Sequence, residues 1–256
     1  MSIDKNILNF WDGRSKLGEL AGTNDFMLTR IEQKFILDTI PDNSRVFDIG
    51  CGNALSLVAL AKEKNCSGVG IDFSAGMVST SQEYVYLNNL QDEIKIFEDS
   101  VPPVPTSYGS FDVVLTNRSL INLTSREDQR TAILGVEQVL RPGGMFLMIE
   151  CSNEGSDSTN NLRSKLKLDS IKAPWHNLFF NEKEVESWQT LTFKIEKFLH
   201  ISSTYNLLSR VVYAKYAATT DELMVYDSLI NQISLQLPQQ IGNFGPVKAW
   251  IWRKSI

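Results

Sequence analysis

The sequence contains little cysteine and little histidine. Three cysteines, two histidines and no C-x-x-C pair argue against a disulfide framework and against a zinc site. We therefore predict a reducing compartment and no bound metal. No apolar run reaches the 18 residues of a membrane-spanning helix, and the polar residues 1–6 lack the apolar core of a signal peptide. These absences predict a cytoplasmic protein without membrane insertion.

The sequence also has no excess of basic residues. The chain has 25 Lys and Arg against 30 Asp and Glu, a formal net charge of −5, which argues against nucleic acid as the main partner. With 43% apolar residues over 256 positions, it is long enough for a full hydrophobic core. No linker rich in Pro, Gly or Ser divides it, so one domain with additions is predicted.

A glycine turn between an apolar run and a helical segment is the most informative stretch. Residues 45–47 lead into Asp48, and Gly50 and Gly52 follow before a segment with helical composition. Doubly wound α/β folds bind nucleotides with this order of strand, turn and helix, because glycine lets a ligand approach the backbone. A second strand is predicted to end at Asp72, 20 residues after Gly52, where such folds place an acid for ribose hydroxyls.

The motif departs from a dinucleotide-binding fingerprint. A G-x-G-x-x-G run from Gly50 requires glycine at position 55, where Leu55 stands, so an NAD-dependent oxidoreductase is a weak alternative. Residues 48–54, Asp-Ile-Gly-Cys-Gly-Asn-Ala, instead resemble the first motif of class I S-adenosylmethionine-dependent methyltransferases, (D/E)-x-G-x-G-x-G. Ala54 replaces the last glycine.

Later stretches extend the resemblance. Residues 94–100 are typical of a third strand with a polar end, and residues 111–118 of a fourth strand that opens with F-D-V-V, common in this family. Residues 132–140 have helical spacing and run into Arg-Pro-Gly-Gly at 141–144, a turn characteristic of the family, before the apolar run 145–150. Proline cannot continue the helix, and the glycine pair permits a sharp reversal.

The predicted fold is α/β, a doubly wound, Rossmann-like seven-stranded sheet. Its last strand, residues 247–254, is antiparallel in the family it resembles. Residues 1–43 are predicted to form an N-terminal helical lid segment, and residues 44–256 the methyltransferase domain, with insertions at about 152–190 and 204–242. The polar start of the first insertion is interpreted as a loop or the approach to a helix.

The resemblance implies S-adenosyl-L-methionine as cofactor and S-adenosyl-L-homocysteine as product. It places Asp72 on the ribose hydroxyls, and Asp99, for which Glu98 is an alternative, on the adenine. Arg14 would face the methionine carboxylate, whereas Asp48 would anchor the glycine loop. The predicted cofactor-binding residues are Arg14, Gly22, Thr23, Asp48, Gly50, Cys51, Gly52, Asp72, Phe73, Met77, Asp99, Ser100 and Asn117.

Two residues are candidates for catalysis. His176, in a Pro-Trp-His-Asn run of the first insertion, is a candidate general base, or else a loop histidine bonded to backbone. Arg118 would favour an anionic substrate, or else it pairs with Asp112 or Glu150. Residues 117–120 read Asn-Arg-Ser-Leu, not the N-P-P-Y of methyltransferases that act on nucleic-acid bases.

The C-terminal part looks like a bacterial subgroup associated with surface-polysaccharide and sugar modification. That resemblance makes four residues substrate-binding candidates: Tyr205, Arg210, Tyr226 and Asn231. Tyr205 and Tyr226 would otherwise anchor the insertion to the core. The predicted function is O-methylation of a small polar acceptor such as a sugar or a glycan or phosphoglycan end. The alternatives are N-methylation of a small amine or protein group, and a catalytically silent domain that binds the cofactor or a partner.

Overall fold

Seven strands form a single mixed sheet in the computed structural model, which describes residues 4–256. The first three residues of the predicted lid segment lie outside the described part. The strands are β1 (Arg45–Ile49), β2 (Ser67–Asp72), β3 (Ile94–Glu98), β4 (Phe111–Asn117), β5 (Leu140–Cys151), β6 (Phe193–Leu199) and β7 (Val247–Lys254).

The strand order is β3-β2-β1-β4-β5-β7-β6. Strands β1 to β5 are parallel, and β7 is antiparallel to both β5 and β6, so the predicted fold with an antiparallel last strand is confirmed. The order reverses between β1 and β4. In doubly wound folds this switch point opens a crevice at the carboxyl ends of the strands, where ligands bind.

Helices connect and cover the strands. They are α1 (Lys5–Arg14), α2 (Phe26–Thr39), α3 (Leu55–Lys64), α4 (Ala75–Leu87), α5 (Arg126–Val139), α6 (Asn153–Lys165), α7 (Glu182–Ser187), α8 (Ser203–Asn206), α9 (Ala214–Thr220) and α10 (Leu229–Ser234). Short 3-10 helices span Ser15–Leu20 and Leu120–Asn122, and a π-helix spans Leu207–Tyr213.

Aromatic side chains fill the core along the middle of the sheet. Phe47 of β1 is fully buried and stacks on Phe111 of β4, with ring centroids 4.8 Å apart. On the far side, Trp252 of β7 stacks on Phe193 of β6 at 5.0 Å. Burial of each such ring stabilises the fold by about 1.5–3 kcal/mol. Because these rings pack on both sides of β4 and β5, they keep the central strands, and with them the carboxyl ends of those strands, in position.

Two local predictions were wrong. Strand β5 begins at Leu140, not after the predicted turn, because Leu140 pairs with Phe111 and Met145 with Val113. Residues 141–144 therefore bulge from a continuous strand. The polar start of the first insertion is helix α6, not a loop. The hydroxyl of Ser152 accepts from the N–H of Gly155 and caps this helix.

Candidate active site

An open cavity lies at the switch point, against the carboxyl ends of β1, β2 and β4. Its volume is about 1480 Å³, including the solvent at its mouth. Ten of the thirteen predicted cofactor-binding residues line it: Gly22, Gly50, Cys51, Gly52, Asp72, Phe73, Met77, Asp99, Ser100 and Asn117. The remaining three, Arg14, Thr23 and Asp48, are not part of its wall.

The glycine loop after β1 forms the floor of the cavity. Gly50 and Gly52 have φ of 73° and 52°, and Ala54 holds φ 58° at the start of α3, a left-handed conformation that favours glycine. A Cβ on Gly50 would lie 2.3 Å from Cβ of Ser119. The N–H groups of Gly50 and Cys51 both donate to the carbonyl of Ile71, which ties the loop to β2.

The Asp72 carboxylate holds this loop in place. Its Oδ2 accepts from the N–H of Gly52 at 3.0 Å, and its Oδ1 from the N–H of Ser74 at 2.9 Å. Burial raises the pKa of Asp72 to about 6, although the two N–H donors oppose that shift. Each carboxylate oxygen has a further lone pair for a ligand hydroxyl. The loop anchor is therefore Asp72, not Asp48 as predicted.

Asp48 lies behind the loop, in β1, with 3% of its surface exposed. Burial, together with repulsion from Asp72, raises the pKa of its carboxyl to about 8. The neighbouring Cys51 thiol is also buried, and its pKa is raised for the same reason. Asp48 and Asp72 lie close together near the ends of β1 and β2. A carboxyl with a strongly raised pKa, that of Asp48, therefore lies beneath the glycine loop.

The far end of the cavity carries Phe73, Met77, Asp99 and Ser100. Asp99 accepts from the N–H of Ser100 at 2.8 Å and from the hydroxyl of Tyr108 at 3.0 Å. The interaction with Tyr108, which the sequence did not predict, fixes the orientation of the carboxylate beside the cavity.

The N-terminal segment crosses the cavity mouth. Ile7 and Trp11 of α1 line the cavity, and the indole N–H of Trp11 donates to Asn122 at 3.1 Å. The side chain of Asn53, in the glycine loop, donates to the carbonyl of Gly18 at 2.6 Å. Asp12 accepts from the N–H of Gly76 at 3.2 Å. These contacts place α1 and the following 3-10 helix over the glycine loop.

Arg14 and Thr23 do not face the cavity. The guanidinium of Arg14 donates to the carbonyls of Leu20 and Ala21 and to Asn24, so it closes the turn after α1. The hydroxyl of Thr23 accepts from the N–H of Asp25 at 3.1 Å. Neither side chain is placed to contact the methionine end of a cofactor in this cavity.

Arg118, at the end of β4, forms a buried ion pair with Glu32 of α2. Its Nε lies 2.9 Å from Oε1 of Glu32, and its Nη2 donates to Oε2 at 3.0 Å. The predicted partners are engaged elsewhere. Asp112 pairs with Arg141, and Glu150 accepts from backbone N–H groups that include Leu120 at 2.9 Å. Arg118 borders the cavity, but a carboxylate already holds its guanidinium.

His176 is not part of the cavity wall. Its ring packs against Phe10 of α1 at a centroid distance of 4.3 Å and against Trp11 at 5.5 Å. Both ring nitrogens are buried and make no hydrogen bond within residues 4–256. Burial, with the cation of Arg14 nearby, lowers the pKa of the imidazole. His176 therefore packs against the N-terminal segment and does not line this cavity.

The four predicted substrate-binding residues are also outside this cavity. Tyr205 is fully buried and donates to Asp25 at 2.6 Å. Asn231 is buried, and its side-chain NH2 group donates to the carbonyl of Tyr226 at 3.0 Å. Arg210 pairs with Asp25, and its guanidinium lies 5.3 Å from the ring centroid of Tyr226. Tyr205, Tyr226 and Asn231 therefore organise the second insertion, and Arg210 borders a different cavity.

That second cavity lies between the first insertion and the π-helix. It has a volume of about 920 Å³, including adjoining solvent. Its wall includes Asn160, Lys172 and Asn177 of the first insertion and Arg210 of the π-helix. Arg118 lines both cavities, so they adjoin at this residue.

The buried carboxyls beneath the site predict an unusual dependence of stability on pH. Burial raises the pKa of Asp48 to about 8 and that of Glu150 to about 7. A carboxyl with a higher pKa in the folded protein binds more protons when folded, so its contribution to stability is lost as pH rises through that pKa. His176 and His200, whose pKa values are lowered, act in the opposite direction, mainly below about pH 6.5 and to a smaller extent up to about pH 7.5.

We expect the free energy of unfolding to fall by about 1.5 kcal/mol between pH 6.5 and pH 8, after small opposing effects of the two histidines and of Lys248, whose pKa burial lowers to about 8. Urea unfolding at several pH values measures this. Asp48→Asn should reduce the slope to less than half, whereas Asp92→Asn at an exposed position should leave it unchanged. An unaltered slope in Asp48→Asn would contradict the assignment.

Comparisons with known proteins agree with the site. Residues 46–144 match a family model described as a methyltransferase domain. A demethylmenaquinone methyltransferase from Lactiplantibacillus plantarum is 30% identical over 115 residues, 44% of this chain and 47% of the relative. The chain thus spans about half the length of that relative.

Solved structures share the fold. A chain in the complex between the Haloferax volcanii Trm112 methyltransferase activator and a methyltransferase has a TM-score of 0.63 at 17% identity, covering 99% of both chains. Geranyl diphosphate C-methyltransferase from Streptomyces coelicolor, solved with S-adenosyl-L-homocysteine, has a TM-score of 0.59 at 11% identity, covering 90% of this chain and 80% of that one. Residues 46–144 are thus similar to a methyltransferase domain, and the described residues share the fold of these solved structures.

Two further findings concern the described residues as a whole. None of the helices within residues 4–256 combines the length and apolar character needed to cross a lipid bilayer. In the same range, no three His, Cys, Asp or Glu side chains are grouped so as to hold a metal ion.

Proposed function

We propose that the protein binds S-adenosyl-L-methionine in the switch-point cavity and transfers its methyl group to a small acceptor. The observation that carries this proposal is the Asp72 carboxylate. It is buried, it fixes the glycine loop through the N–H of Gly52, and it borders the cavity with lone pairs unused. A carboxylate in this position suits the two neighbouring hydroxyls of a ribose.

Other groups in the cavity fit the remaining parts of the cofactor. The side-chain oxygen of Asn117 is buried, borders the cavity and has no hydrogen-bond partner within the described residues. A small rotation of this side chain would let the oxygen accept from a donor such as the methionine ammonium group. Asp99 would accept from the adenine amino group, and Phe73 and Met77 would pack on the adenine ring. The absence of a Cβ at Gly50 and Gly52 leaves room for the cofactor against the loop.

When bound, the cofactor supplies an electrophilic methyl group on a positively charged sulfur. The protein's share of the reaction is alignment and exclusion of water. Asp72 and Asn117 orient the cofactor from below, and Ile7 and Trp11 cover it from the N-terminal segment. Because His176 is not part of the cavity wall, we propose that transfer depends on positioning of the acceptor and needs no histidine base.

The acceptor atom is proposed to be oxygen on a small polar molecule, with N-methylation as the alternative. The predicted substrate-binding residues no longer support a sugar or glycan acceptor, since Tyr205 and Asn231 are buried in the second insertion. Nor do the names of the reported relatives point to a sugar. They name demethylmenaquinone and geranyl diphosphate as acceptors in those proteins, and a polysaccharide-modifying subgroup gains no support from them.

Calorimetric titration of the purified protein tests the proposal. We expect S-adenosyl-L-homocysteine to bind with a Kd in the micromolar range, and NAD to show no binding at the same concentrations. A stabilising shift in Tm with S-adenosyl-L-homocysteine alone would agree by mass action. Binding of NAD alone would overturn the proposal in favour of an oxidoreductase. Cofactor binding without methyl transfer to any acceptor in a broad screen would favour a catalytically silent domain.

A further inference from the structure

The second cavity has a charge unlike that of the protein as a whole. The chain carries a net charge of −5, yet the cavity wall contains three cations, Arg118, Lys172 and Arg210, and no aspartate or glutamate. Two of these cations are paired with buried carboxylates, Arg118 with Glu32 and Arg210 with Asp25, of whose surface 0% and 2% is exposed. Their oxygens hold the guanidinium groups and do not face the cavity.

Arg210 is held in a fixed orientation that leaves most of its donors free. It bonds to Asp25 through Nη2 alone, and Asp25 is itself fixed by the hydroxyl of Tyr205 and the N–H of Leu28. Arg210 lies in the π-helix Leu207–Tyr213, a rare conformation that often occurs at functional sites. The sequence separation of 185 residues between Arg210 and Asp25 means that the tertiary fold creates this arrangement.

Lys172 and Arg163 add to the positive potential around Arg210. Lys172 forms no ion pair within residues 4–256, and neither does Arg163, which donates to the backbone carbonyls of Asp169 and Arg210. Asn177 also borders the cavity, and its side-chain oxygen is buried without a partner among the described residues. Guanidinium and ammonium groups in such a setting bind carboxylates and phosphates well.

Much of the rest of the wall is apolar. It is formed by Leu28, Ile121, Ile171, Phe179 and Val247, among others. A cavity whose wall combines cations with aliphatic and aromatic side chains suits a molecule with an apolar body and one anionic group. Its junction with the cofactor cavity at Arg118 places such a molecule next to the proposed methyl donor.

We propose that the second cavity is the acceptor site and that it selects a small organic anion, a carboxylate or phosphate ester with an apolar body, through Arg210 and Lys172. The inference rests on the proposed function, since it makes this anion the methyl acceptor. It also revises the role predicted for Arg118, whose guanidinium is already paired with Glu32. Arg118 lines both cavities, and Arg210 and Lys172 bind the anion.

Binding of matched fragments to the protein saturated with S-adenosyl-L-homocysteine tests this assignment. The probes are phenylacetate and phenyl phosphate, compared with the neutral phenylacetamide, titrated by ligand-observed NMR at low salt. We expect at least one anion to bind about 10-fold or more tightly than the amide, since a hydrogen bond to a charged group is worth about 1.5–3 kcal/mol. Raising the salt concentration should reduce that preference.

Variants distinguish the contribution of each cation to anion binding from any effect on folding. Lys172→Gln changes an exposed side chain and should lower anion affinity about 3-fold or more, whereas Lys165→Gln, at an exposed position outside the cavity, should have no effect. Arg210→Gln should remove the preference for the anion. If it unfolds the protein because Asp25 loses its partner, Lys172→Gln still decides the question. All these variants should bind S-adenosyl-L-homocysteine as the wild type does.

Equal binding of anion and amide, or no detectable anion binding at millimolar concentration, would overturn the assignment. So would a preference that Lys172→Gln leaves intact. A failure of the proposed function has a different signature, because S-adenosyl-L-homocysteine would then not bind to the wild-type protein at all.

Discussion

Replacing Asp72 by asparagine is expected to weaken binding of S-adenosyl-L-homocysteine about 100-fold or more. Each hydrogen bond to a charged group contributes about 1.5–3 kcal/mol, and two ribose hydroxyls would donate to this carboxylate. A 100-fold loss corresponds to about 2.7 kcal/mol, near the upper end for one such bond and just below the range of about 3–6 kcal/mol expected for two. Asparagine has one acceptor oxygen, and its NH2 group would face the N–H of either Gly52 or Ser74, which the carboxylate now accepts. Calorimetric titration at pH 7.5 measures the change.

The same carboxylate predicts how affinity depends on pH. Because burial raises the pKa of Asp72 to about 6 in the unliganded protein, wild-type affinity should decline as pH falls below about 6, where the carboxyl becomes protonated. Asp72→Asn should lack this decline. Asp112→Asn is the matched control, since Asp112 also accepts a backbone N–H, from Arg45 at 2.8 Å, but lies at the start of β4. Equal losses in both variants would show that the effect is not local to the cavity.

The sequence predicted the fold well because local signals agree with the topology. The apolar runs at β1, β4 and β5 are buried strands, and the glycines at positions 50 and 52 have the positive φ that their turn requires. Their spacing to Asp72 also placed that residue at the cavity. The start of α6 was missed because its composition is polar throughout. What stabilises its first turn is the capping serine, Ser152, a weak signal in a polar stretch.

The site was predicted less completely because its remaining contacts join distant parts of the chain. Arg118 and Glu32 are 86 residues apart, and Tyr205 and Asp25 are 180 apart. Spacing along the sequence cannot indicate either pair. One signal was available in α2, where Glu32 falls on the buried stripe with Ile31 and Ile36. A glutamate on such a stripe requires a buried cation, and the positive φ of Arg118 brings its side chain there.

That buried pair leads to the largest effect on stability that we expect. Glu32→Ala should reduce the free energy of unfolding by about 3 kcal/mol, measured by urea denaturation, because Arg118 would remain buried without a counter-charge. Breaking a buried ion pair typically costs about 3–5 kcal/mol. The lower end applies here, since 18% of the Arg118 side chain is exposed and it borders two cavities through which water can reach the guanidinium.

Two comparisons distinguish the effect of the lost charge on stability from an effect of the substitution on helix α2. Asp38→Ala removes the exposed pair between Lys34 and Asp38 on the same helix and should cost less than about 0.5 kcal/mol. Glu32→Ala combined with Arg118→Met removes both charges and should recover much of the lost stability, since apolar replacements of a buried pair are often neutral. If the double variant is as unstable as Glu32→Ala alone, the loss comes from packing around α2 and not from an unpaired Arg118. Recovery would show that the loss in Glu32→Ala comes from the unpaired charge of Arg118.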